Sequence, residues 1–190
     1  MVNRIFPLLP IVLAFFTGCN LVTRTADTSG FRDVAAEHTQ MISVERDFSL
    51  VLSMHVVYVD EKVARAFVDD YAKLYMLSSG DKKKMLGQQT AENKQWYRFF
   101  LVVYTAPGPY EPLDSPDSPW KMYLESGGLT ESPVSVTDME SKRAMFKMFF
   151  PDINSWEMMY MVRFKKNKAE RSGGLKFIVT GILGEGKAVF

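Results

Sequence analysis

Gly181-Ile182-Leu183-Gly184-Glu185-Gly186-Lys187 has the Gly-x4-Gly-Lys spacing of a loop whose backbone amides cradle phosphates while the lysine neutralises them. Two parts of that chemistry are missing. Ala188 stands where a Ser or Thr hydroxyl would bind magnesium, and Ala188, Val189 and Phe190 are too few to build the helix whose N-terminus the phosphates need. The segment reads as a glycine-rich turn before a last short strand, and no nucleotide is expected. Metal chemistry needs clustered His, Cys or carboxylate ligands, but His38 and His55 each lack a ligand partner at i+2 or i+4, so neither metal nor cofactor is expected. His55 is the one candidate base, and its plainer reading is a satisfied histidine beside a helical layer. Asp69 and Asp70 are adjacent on a helix and point about 100° apart, which reads as a solvated face rather than a carboxylate pair. No Gly-x-Ser-x-Gly elbow occurs, so no catalytic residue is assigned and a non-enzymatic protein is expected.

The chain's single cysteine, Cys19, follows a secretory layout: Met1 to Arg4 carries one positive charge, Ile5 to Phe16 is apolar, and small residues lead to the cysteine. The apolar run is about a dozen residues and holds Pro7 and Pro10, short of the roughly 20 that span a bilayer. Phe16-Thr17-Gly18-Cys19 resembles the lipobox of bacterial lipoprotein precursors, with Phe16 where Leu, Val or Ile is usual. The resemblance covers the first 19 residues and implies cleavage between Gly18 and Cys19, diacylglycerol on the thiol and acylation of the freed amine. Two or more acyl chains anchor stably where one binds marginally. By resemblance to enterobacterial sorting, Asn20 in place of aspartate implies the outer membrane, facing the periplasm. The partners expected are a membrane, through lipid on Cys19, and a protein of the cell envelope.

Composition agrees with a folded domain behind that anchor, since 47% hydrophobic and 13% aromatic residues are too apolar for disorder. The formal net charge is +1 and falls to zero once residues 1–18, with Arg4, are removed, so nucleic-acid binding is not expected. The organisation expected is a signal peptide over 1–18, a lipid-anchored flexible tether over 19–45 and one globular domain over 46–190.

The elements that must position any site follow from periodicity. Phe48 to Tyr58 alternates as a strand, Asp60 caps a helix carrying Val63, Phe67, Tyr71, Leu74 and Tyr75 and closing at Gly80, and Asp81 caps a polar helix through Gln95. Tyr97 to Thr105 is apolar on both faces and should lie centrally. Trp120 to Glu125, Val134 to Thr137, Arg143 to Phe150 and Trp156 to Phe164 read as further strands, the last paired with Leu175 to Leu183 across a charged turn ending in Gly173-Gly174. The fold expected is mainly β, an antiparallel sandwich of the immunoglobulin or transthyretin kind with helices inserted after the first strand. That plan also resembles lipid-anchored proteins of secretion-system membrane complexes.

Three surface features remain. Pro107 to Pro119 holds five prolines and could present Tyr110, Glu111, Asp114 and Asp117 to a partner; its plainer reading is a connection kept off a sheet edge. Lys82 to Lys84 and Lys165 through Arg171 are basic clusters that either face acidic head groups or stand as solvated turns. Met158, Met159 and Met161 read as core filling. Three functions stay open: an envelope adaptor or binding module, a carrier of an apolar ligand in a Met- and Phe-rich cavity, and an envelope hydrolase using His55.

Overall fold

The computed structural model describes residues 27–106, 112–166 and 174–190. Gly18, Cys19, Tyr110, Glu111 and most of the second basic cluster lie outside the described residues. In chain order the elements are α1 (Ser29–Glu37), β1 (Thr39–Arg46), β2 (Ser49–Tyr58), α2 (Glu61–Leu74), α3 (Ser79–Gln95), β3 (Trp96–Thr105), β4 (Trp120–Ser126), β5 (Leu129–Glu131), β6 (Ser135–Asp138), a 3-10 turn (Glu140–Lys142), α4 (Arg143–Phe149), β7 (Met158–Lys165), β8 (Lys176–Gly181) and β9 (Gly184–Val189). The strands form two antiparallel sheets, ordered β1-β2-β3-β7-β6 and β5-β4-β8-β9.

Alternation decides which residues meet. On one face of the five-stranded sheet Ile42, Leu52, Met54, Phe99, Leu101, Val162 and Phe164 join Trp120, Met122, Leu124, Phe177 and Val179 of the other sheet in one buried apolar cluster. On its opposite face Val57, Phe100, Val102 and Met159 pack with Phe31 of α1, Val63 of α2 and Phe146 and Phe149 of α4. β3 is therefore central and covered on both sides, as its two apolar faces require.

Several expectations are corrected. The stretch read as a flexible tether supplies α1 and β1 from Ser29 onward, so the helices α2 and α3 follow the second strand rather than the first. Arg143 to Phe150, read as a strand, is mostly helix: its apolar residues fit both periods, and the helix lays Phe146 and Phe149 onto Phe100 and Phe31. Trp156 is 65% exposed and precedes β7. β7 pairs with β3 and β6, while β8 pairs with β4 and β9, so the expected β7–β8 hairpin does not exist. The cap of α3 is Ser78, whose hydroxyl accepts from the Asp81 amide at 3.1 Å, and Gly80 lies in the first turn of α3 instead of closing α2. Asp60 does cap α2, accepting from Val63 at 2.9 Å.

Asp70 is not a solvated residue. It is 2% exposed and accepts from the Phe31 amide and from Lys73 Nζ, both at 2.8 Å, so it caps α1 from the neighbouring helix. No helix among the described residues is long and apolar enough to cross a membrane.

Candidate functional site

The glycines of the phosphate-loop spacing have a packing role. A Cβ on Gly181 would lie 2.2 Å from the Pro119 carbonyl oxygen, and one on Gly186 would lie 2.1 Å from Ile42 Cγ2. Gly184, at φ +146°, would bring a Cβ to 2.5 Å from Val44 Cγ1. They admit β1 and Pro119 against the β8–β9 hairpin, and Lys187 is paired with Glu185 at 2.6 Å. This is strand geometry with no helix N-terminus at the loop.

His55 is exposed and lines a cleft of about 460 Å³ together with Asp152, Glu157 and Thr39. The Thr39 hydroxyl donates to the Ala35 carbonyl at 2.6 Å, so it is held away from nucleophilic work. His38 is bound within the fold: Nδ1 faces the Val34 carbonyl at 2.9 Å and Nε2 the Asp60 carboxylate at 3.3 Å. Asp114 and Asp117 of the proline-rich stretch are exposed, while Leu113 between them and the sheets is 4% exposed and belongs to the inter-sheet cluster. Lys82 is paired with Asp69 at 2.8 Å, and Lys166 donates to the Asn93 carbonyl at 2.7 Å. No group of three or more metal-type ligands occurs among the described residues.

A second cleft, also about 460 Å³, opens between the helix-facing side of the five-stranded sheet and the α2, α3 and α4 segments. Its volume falls in the range of small-molecule sites, roughly 300–1,000 Å³. The walls are apolar, with Val57, Phe67, Phe100, Met145, Phe146 and Met161 prominent. Met161, read as core filling, is half-buried and faces this space, whereas Met159 is 1% exposed and packed.

At one end of the cleft stand two arginines. Arg98 of β3 and Arg163 of β7 are directly opposite each other in the strand register, and both line the space. Phe99 and Val162 turn inward to the other sheet, so alternation sends both arginines to the helix side. Arg98 is 5% exposed; its Nε donates to Asn93 Oδ1 and its Nη1 to Gln89 Oε1, each at 2.8 Å. Both acceptors are neutral amides on α3. Its Nη2 has no hydrogen-bond partner, and neither does Arg163 Nε. Glu92 lies 3.1 Å from Arg163 Nη2 without the alignment of a hydrogen bond. Burial pulls the Arg98 guanidinium below its ordinary range; Glu92 opposes this and Arg163 adds to it.

The arginine pair went unseen in the sequence because Arg98 interrupts a strand that is otherwise apolar on both faces. The signal was there: a charged residue at a position whose neighbours at i+2 and i+4, Phe100 and Val102, are buried. No family model matches the chain, and no curated protein or solved structure is similar to it.

Proposed function

We propose that the chain is a lipid-anchored, non-enzymatic binding module of the cell envelope that carries an apolar ligand in the cleft over its five-stranded sheet. The observation that carries this reading is the cleft itself, about 460 Å³ with Phe and Met walls and two arginines at one end. In this reading the two sheets form a sandwich of the immunoglobulin or transthyretin kind, Cys19 bears the lipid, and the module stands on the outer membrane facing the periplasm. The adaptor reading has its own support in the proline-rich stretch, where a buried Leu113 would hold the exposed Asp114 and Asp117 for a protein partner.

Two experiments test the two halves. Intact mass and membrane partition of wild type against Cys19→Ser should show lipid mass and sedimentation only with the cysteine; equal solubility of both removes the anchor. An uncharged fluorescent apolar probe, N-phenyl-1-naphthylamine, should bind wild type, and Met85→Trp, which places an indole into the cleft from a half-buried position on α3, should abolish that binding. Equal binding by a folded Met85→Trp would place the ligand elsewhere.

A further inference from the structure

We propose that the cleft selects a single-chain amphiphile with an anionic head group, the chain lying along the Phe and Met wall and a carboxylate or similar oxyanion seated between Arg98 and Arg163. The inference rests on the carrier reading and names the class of ligand.

Three observations point to an anion. Like charges directly opposite on neighbouring strands repel, yet Arg98 and Arg163 face each other across β3 and β7. The buried Arg98 is held by the amide oxygens of Asn93 and Gln89, which orient its guanidinium without neutralising it. Its Nη2 is left as a buried donor with no acceptor and Arg163 Nε as another, where native structures satisfy nearly all such groups. A carboxylate brings two oxygens with several acceptor sites, the complement of paired guanidinium donors. The apolar wall then decides between a small ion and an amphiphile. Phe100, Phe146 and Met161 offer a free anion nothing, but a hydrocarbon tail buries against them, and the volume holds about fifteen heavy atoms at roughly 30 Å³ each.

The test is calorimetric titration of the full protein with dodecanoate, dodecanol, dodecyltrimethylammonium and acetate. Dodecanoate should bind at least about tenfold more tightly than dodecanol, the ratio expected for a charged hydrogen bond, and far more tightly than the cation or acetate. Arg163→Gln, at a half-exposed position, should bring dodecanoate down to the level of dodecanol. Glu92→Gln, which removes the competing carboxylate, should tighten dodecanoate severalfold. Equal binding of dodecanoate and dodecanol, or a preference that survives Arg163→Gln, overturns the head-group assignment while leaving the carrier reading intact. Binding of none of the long-chain probes overturns both, and acetate binding as tightly as dodecanoate reduces the site to one for small anions.

Discussion

Replacing Arg98 by methionine separates a functional arginine from a structural one. Methionine keeps a flexible apolar stem and removes the guanidinium with its charge. On the unfavourable side, Asn93, 4% exposed, loses the partner of its Oδ1, and a buried orphaned acceptor costs about 1–3 kcal/mol. Gln89 is half-buried and can turn toward water, so its loss is small. On the favourable side, a buried cation without its own carboxylate disappears together with its repulsion of Arg163, and replacing buried ionic groups by apolar ones is often neutral or stabilising by roughly 1–4 kcal/mol. The two sides nearly cancel, so urea unfolding of Arg98→Met should change stability by less than about 2 kcal/mol, and adding Asn93→Leu should recover most of any loss. The same variant should no longer distinguish dodecanoate from dodecanol. If Glu92 instead completed a structural ion pair with Arg98, removing the arginine would leave a stranded carboxylate at a cost of about 3–5 kcal/mol. A loss of that size would refute the reasoning.

Asp70→Ala strands the Phe31 amide and should cost about 2–3 kcal/mol, whereas Asp70→Asn keeps an acceptor there and should cost clearly less; equal losses in urea unfolding would mean that Asp70 does not cap α1. Gly186→Ala forces a methyl against Ile42 and should cost roughly 1–3 kcal/mol, with less than additive loss when combined with Ile42→Ala; strict additivity would show that this contact is not the cause. Burial pushes the Tyr160 phenol up to about 12, so the folded state holds that proton more tightly than the unfolded chain. Stability from this group is therefore complete below pH about 10 and lost as pH rises from there to about 12, a decline that Tyr160→Phe should reduce. A wild-type stability profile as flat as the variant's over that window would contradict it.

What was legible in the sequence was set by local period and cap chemistry. β2 and β4 alternate and β3 is a near-continuous apolar run because each buries one or both faces, and Asp60 announces α2 by the hydrogen bond it makes. What was missed depended on distant partners. α1 buries only Phe31 and Ala35 and takes its cap from Asp70, 39 residues on, so the local pattern offers no more than a weak short helix over Asp33 to Met41. β1 is an edge strand burying only Ile42 and Val44, too sparse a pattern to stand out from polar chain. In α4 five apolar residues among seven satisfy both periods, and the choice falls to helix because the outer face of the sheet needs a cover that β6, already at the edge, does not supply.

α3 gives the strongest internal argument about the cleft. It runs 17 residues and buries only Asn93, so apolar packing does little to hold it, and a helix this polar needs another reason to stay in place. Gln89, Glu92 and Asn93 recur at i, i+3 and i+4, which brings them to one face, and that face meets Arg98 and Arg163. A carboxylate at position 89 or 93 would orient Arg98 equally well and also cancel its charge. The chain has amides at both positions, and the acid between them, Glu92, leans toward the more exposed Arg163. The arrangement fixes the buried guanidinium in place and keeps its charge available to whatever enters the cleft.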